Sequence, residues 1–283
     1  MSGRYGLSLA HILHPTDFSA GSDIAFAHAL RLACETHGSL GILHVERSPG
    51  PPDWDQYPPV RDTLTRWNLL PRGASRSEVA DLGVRISKSS VTSDDPVAGV
   101  LEFLERHPAD LLVMSTQRRH GLDRWLHKTT AGQISNRAGG SALFIPGDSP
   151  GFVDSETGIC SLHRILCPID HEPDPAAAVE TVSDLVRALH PGSCRIQLLH
   201  VGEPSSAPKL RLPRHESILY HWTFATGPAA SAIIAEAQAQ SADLIAMTTA
   251  GRHGFLDALR GSTTEQVLEH APCPVLAVHA WID

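Results

Sequence analysis

Ala242–Val278, ADLIAMTTAGRHGFLDALRGSTTEQVLEHAPCPVLAV, decides the fold of this chain, because a strand, a glycine-bearing loop and a helix follow one another in it. Asp243–Met247 is a short apolar run of the kind that makes a parallel strand buried on both faces. Ser262-Thr-Thr-Glu265 fits a capping box, and Val267, Leu268 and Ala271 then share one helical face. Between strand and helix, Gly251, Gly254 and Gly261 stand where backbone must bend freely or come close to something. The unpaired N–H groups at the helix start, with the positive end of its dipole, suit an anion such as phosphate. The same glycines also suit plain turns and packing, and both readings stay open on this stretch alone.

Working outward, the pattern occurs twice. His11-Ile-Leu-His-Pro-Thr-Asp17 is a short strand ending in Pro-x-Asp, followed by a helix with Phe26, Ala29, Leu30 and Ala33 inward, then by the strand Ser39–Val45. His163–Asp170 ends the same way. Its helix has Asp174 as N-cap, Pro175 at the first position and Val179, Val182, Val186 and Leu189 inward, and Arg195–Val201 follows as a strand. The later parts repeat too. Strand Val84–Val91, a helix from Asp95-Pro96 and strand Ala109–Met114 match strand Ser217–Phe224, a helix from Gly227-Pro228 and strand Ala242–Met247. Ala142–Ile145 and Pro274–Val278 close the copies as apolar runs. This is an internal duplication. Strands alternating with amphipathic helices imply parallel strands joined by right-handed crossovers.

The second copy is shorter by roughly twenty residues between its second and fourth strands, judged on the aligned repeat. Glu203–His215 is too short and Pro-rich for the helix expected there, whereas Pro51–Ala80 is long enough in copy one, with Val60–Leu70 as its helical part. Copy two should therefore leave one sheet face partly uncovered, a face for the other copy or another subunit. Gly147–Gly158, GDSPGFVDSETG, is polar, contains Gly and Pro, and reads as a linker. The expected division is residues 1–147 as a first domain, 148–160 as linker and 161–283 as a second domain.

At 283 residues the length fits two domains, and 42% apolar with 19% charged residues is ordinary for a globular chain. A net charge of −8 argues against a nucleic-acid backbone or an anionic membrane as main partner. Seventeen histidines make the charge sensitive to falling pH. Five cysteines without a C-x-x-C suit a reducing compartment, and no spanning segment or signal peptide is evident, so a cytoplasmic location is expected.

The residues HILHPTDFS (11–19), ILHV (42–45), ADLLVMST (109–116), LLHV (198–201), ADLIAMTTAGRHG (242–254) and GSTTEQVLEHAPCPVLAV (261–278) together resemble the universal stress protein family in its tandem form. The resemblance covers nearly the whole chain. It implies an α/β fold of two Rossmann-like (adenine nucleotide alpha hydrolase-like) open five-stranded parallel-sheet domains in tandem, their last strands abutting as an intrachain pseudo-dimer, with a further homodimer left open. ATP-binding members are similar in a Gly-x2-Gly-x9-Gly-Ser/Thr motif, which here falls on Thr248, Gly251, Gly261 and Ser262, the first glycine being replaced. In copy one the positions are Ser115, Arg118, Lys128 and Thr129, with every glycine gone.

By the resemblance, the aspartate ending the first strand meets the adenosine and the residue ending the second strand walls the base. The implied cofactor-binding set is thus Pro168, Ile169, Asp170, Val201, Thr248, Gly251, Gly254, Gly261, Ser262 and Thr263, for ATP or AMP with Mg²⁺ as an optional companion. Such a site lies beyond the carboxyl ends of strands where strand order reverses. Asp17 is read instead as part of the start of the first helix. The alternative readings are a nucleotide-free interaction module, and a small-molecule or metal binder using the cavity left by the missing helix.

Other chemistry is discounted. Gly147-Asp-Ser-Pro-Gly151 matches G-x-S-x-G but lacks the strand-turn-helix context of a nucleophile elbow. His11 and His14, three apart on a strand, point to opposite faces. Cross-strand pairs of His14 with His44, or Cys167 with His200, are conceivable metal or redox sites, and Cys273 reads as a small buried apolar residue. No base for an attacking water is evident, so hydrolysis is expected to be slow at most.

Overall fold

The computed structural model describes residues 9–116, 141–189, 192–249 and 262–279. Its strands are β1 (His11–Thr16), β2 (Ser39–Glu46), β3 (Arg85–Thr92), β4 (Leu111–Thr116), β5 (Ser141–Pro146), β6 (Arg164–Pro168), β7 (Cys194–Val201), β8 (Ile218–Ala225), β9 (Leu244–Thr249) and β10 (Val275–His279). The helices are α1 (Ala20–Thr36), α2 (Val60–Arg66), α3 (Arg76–Asp81), α4 (Pro96–Arg106), α5 (Ala176–Leu189), α6 (Ala229–Ala239) and α7 (Ser262–His270), with a 3-10 turn at Pro204–Ser206.

Among the described residues, ten strands form one sheet in the order β3-β2-β1-β4-β5-β10-β9-β6-β7-β8. Every pairing is parallel except the central one, where β10 runs antiparallel to β5 with Val275 opposite Phe144 and Ala277 opposite Ala142. The expected abutment of last strands is thus a hydrogen-bonded seam, and the two halves mirror each other about it. Fully buried Leu143, Phe144 and Ile145 make that seam dry.

Local chemistry explains the elements. Ser19 caps α1 by accepting from the Ser22 N–H, and Asp17 holds Ser19 in turn, accepting from its N–H at 3.0 Å and its hydroxyl at 2.6 Å. Asp174 accepts from the Ala176 N–H at the start of α5, as its spacing predicts. The aspartate that opens each Ala-Asp-Leu strand has the same duty in both halves. Asp110 accepts from the His11 N–H, and Asp243 accepts from the N–H groups of His163 and Arg164, each at 2.8 Å. Each carboxylate therefore ties the amino end of the neighbouring strand, a role hidden in the repeat until the strands are side by side.

Two expectations are corrected. The helix read as Val60–Leu70 stops at Arg66, because Asn68 (φ 59°) turns left-handed and the Leu69 N–H returns to the Leu64 carbonyl. A second helix, α3, follows, started by a capping box between Ser75 and Glu78. The stretch read as a polar linker is built into the first half. Phe152 and Val153 are fully buried, and Val153 bridges Cys160. His28 of α1, itself buried, donates from Nδ1 to the Ile24 carbonyl and accepts at Nε2 from the N–H groups of Phe152 (2.9 Å) and Val153 (3.1 Å). The Trp67 indole N–H donates to the Ser155 carbonyl at 3.0 Å.

The sheet buries both faces. One packs Ile12, Ile42, Val113, Ile165, Leu198 and Ala246 under α1, α2, α3 and α5, and the other packs Leu13, Leu43, Met114, Leu166, Leu199 and Met247 under α4, α6 and α7. Among the described residues of the second half no helix replaces α2 and α3, as expected. Residues 207–217 run there without regular structure, and Leu210 and Leu212 lie against the core only in part. Among the described residues no helix is long and apolar enough to cross a membrane.

Candidate functional site

In the second half, β6 connects through α5 to β7 on one side, and the chain returns through α6 to place β9 on β6's other side. The carboxyl ends of β6 and β9 therefore flank a switch point, where a crevice for a ligand is expected. Pro168 is half-buried at the end of β6, and Asp170 beyond it is exposed, its carboxylate accepting from the His171 N–H at 2.8 Å. Ile169 turns its side chain into the core, and its carbonyl meets Nδ1 of His200 at 3.2 Å. Val201 is half-buried at the end of β7. Thr248 is buried, and its hydroxyl oxygen accepts from the Ala178 N–H in the first turn of α5 at 3.2 Å. Ser262 begins α7 and half-buried Thr263 follows it. The structure thus brings Pro168, Asp170, Val201 and Thr248 to one edge. Gly251, Gly254 and Gly261 lie outside the described residues, as do the Ser262 side chain and Arg118, Lys128 and Thr129 of the first half.

His171, not singled out from the sequence, and His200, weighed there only as a partner of Cys167, bridge this edge. His171 donates from Nε2 to the Ser206 carbonyl at 2.8 Å, and Nε2 of buried His200 meets the Ser206 hydroxyl at 3.0 Å. The 3-10 turn is thereby held beside Asp170 and Val201. The doubled Leu-His-Val strand ending (His44, His200) was the available signal for it.

In the first half the matching edge is filled differently. Phe18, at φ 61°, stacks on His44 with ring centroids 4.1 Å apart, and Tyr57 meets Phe18 edge-on at 5.4 Å. His44 donates from Nδ1 to the Thr16 carbonyl at 2.8 Å, and the Tyr57 hydroxyl donates to the Ser89 carbonyl at 2.7 Å. Val45 is half-buried at the end of β2.

The family model for universal stress proteins matches residues 9–146 and 218–279, more than half of the chain. The chain belongs to the universal stress protein family. A universal stress protein of Archaeoglobus fulgidus DSM 4304 superimposes with a TM-score of 0.59 at 18% identity, over 96% of this chain and 99% of that one. A functionally unknown protein of Pseudomonas aeruginosa PAO1 gives 0.60 at 15% identity, covering 96% and 93% of the two chains. A putative universal stress protein of Pseudomonas aeruginosa UCBPP-PA14 gives 0.58 at 16%, covering 96% and 94%. At these identities the likeness establishes the tandem fold. No curated protein matches the chain in sequence. The interval between the two family matches spans the linker and the segment where this universal stress protein has no counterpart of α2 and α3.

The cross-strand metal pairs do not form. His14 donates from Nδ1 to the Val113 carbonyl at 2.9 Å, with Nε2 toward the Ser22 hydroxyl, while His44 stacks on Phe18. Cys167 is buried in the core, and burial raises its thiol far above the ordinary range. Burial likewise pushes Cys194 and Cys273 up to about 12, so neither is a thiolate at neutral pH. Among the described residues no cluster of three metal-ligating side chains occurs.

Proposed function

We propose that this universal stress protein is a sensor or switch that binds adenine nucleotide, ATP or AMP, in its second half. The observation that carries the reading is the meeting of Pro168, Asp170, Val201 and Thr248 at the switch point from which the chain runs into the retained glycine spacing and α7. Asp170 would hold the ribose and Val201 would wall the base. The backbone amides of the Gly251–Ser262 stretch, with the α7 dipole, would take the phosphates, and any Mg²⁺ would arrive with them. The Thr248 hydroxyl faces the α5 terminus, so this β-branched residue has a bonding role of its own where the family motif has glycine.

A second reading, a nucleotide-free interaction module, draws support from the His171–Ser206–His200 bridge standing beside the base position. Calorimetric titration of ATP and AMP into wild type and Gly261→Val separates the two. Saturable binding by wild type that the variant loses is expected. Equal, negligible heats from both proteins would remove the nucleotide reading.

A further inference from the structure

The face left open in the second half is a shaped groove. Leu210, Leu212, Ile218 and Tyr220 line it, exposed Arg211 and Arg214 rim it, and its volume is about 1060 Å³. It lies on the sheet face where the first half carries α2 and α3. On that face of the first half the seven-residue α2 buries Val60 and Leu64, spaced i, i+4, in the core. The sister half therefore supplies a template for what covers such a face. Along β8 the open face continues in an aromatic row, half-buried Tyr220 and Trp222 and then Phe224, which is 40% exposed.

We infer that this groove docks an amphipathic helix of a partner protein, with apolar residues at i and i+4 facing Tyr220 and carboxylates along its flank meeting Arg211 and Arg214. Charge selects the occupant. In a chain of net charge −8 this segment concentrates Lys209, Arg211 and Arg214, with Glu216 as its acidic member. Arg187 on neighbouring α5 is already paired with Asp184 and adds little. A second copy of this chain fits worse, because a two-fold contact would set Arg211 and Arg214 against themselves. An open groove also suits a helix better than a small ligand, which binds where most of its surface is enclosed. The inference does not depend on the nucleotide reading, since the groove lies on the sheet face rather than at its carboxyl edge.

The test uses the full chain and two fluorescein-labelled helical peptides of about 16 residues, long enough to hold a helix. Both carry Leu at i, i+4 and i+7. One has Glu on its flanks and its twin has Lys. In anisotropy titrations the Glu peptide should saturate, and the R211E/R214E double variant should weaken it about tenfold while favouring the Lys twin. Both substitutions lie on exposed positions, and an unchanged melting curve would show that the variant folds. Equal affinity for the twins, no binding of either, or indifference to charge reversal would overturn the inference. So would self-association in sedimentation that R211E/R214E abolishes, which would give the groove to a second copy.

Discussion

At the carboxyl edge of the first half an aromatic stack, Phe18 on His44 with Tyr57 at its side, stands where the second half has a polar bridge of His171, Ser206 and His200. Beneath these edges the contrast repeats. The first half buries a hydrogen-bonded histidine, His14, at the strand position where the second half buries an apolar thiol, Cys167. A stack of rings excludes water, and Nδ1 of His44 and the Tyr57 hydroxyl are already committed to the backbone carbonyls of Thr16 and Ser89. A hydrogen-bonded turn can trade its partners for those of a nucleotide at small net cost. The same fold thus has one edge closed by packing and one closed by replaceable bonds, and the glycine spacing survives beside the second.

The contrast predicts a strong asymmetry toward acid. Burial lowers His14 and His28 to about 4 from the usual 6.5, more than offsetting the backbone carbonyls that favour their charged forms. Below pH 6.5 the unfolded chain takes up protons that the folded chain refuses, so stability falls with pH until about pH 4, where the folded state titrates as well. The expected loss is about 3 kcal/mol for each histidine. Denaturant unfolding at stepped pH should show His14→Cys, which copies the second half, losing less stability than wild type between those limits. Parallel pH curves for the two proteins would break the comparison.

His28→Ala should destabilise by about 3 kcal/mol, since two buried N–H groups of the linker lose their acceptor and a cavity opens. Gly158→Ala should cost about 2 kcal/mol in the same assay, as φ is +69° and a Cβ would stand 2.5 Å from the Trp67 ring. A linker that only tethers the halves would leave both variants at wild-type stability. The smallest effect is expected from Thr248→Ala, about 1 kcal/mol for one lost helix-start acceptor. Its affinity for ATP should not fall, because the hydroxyl is turned to α5. Loss of ATP binding with unchanged stability would instead give Thr248 a direct contact with the nucleotide.

What could be read from the chain is what repeats or acts locally. Pro-x-Asp endings, the apolar runs and the cap at Asp174 lie within a few residues of what they determine, and the duplicated order fixed the expected tandem α/β fold. The length of α2 was misjudged because its apolar spacing continues past Asn68, where the backbone turns left-handed. The capping box at Ser75–Glu78 was legible as Ser-x-x-Glu and would have revealed α3. The built-in linker was not legible, because its clasps are His28 and Trp67, distant in sequence, each meeting the linker through one ring nitrogen. For the same reason nothing near Thr248 announces that its partner is Ala178.

The antiparallel pairing of β5 with β10 has an evolutionary consequence. In an assembly of identical subunits every substitution appears on both sides of the axis, so a site can be lost only everywhere at once. Covalent fusion across that axis releases the restraint. One flank of this chain can then carry side chains at the glycine positions and rings at its rim, while the other keeps glycines and, among its described residues, has no outer helices on that face.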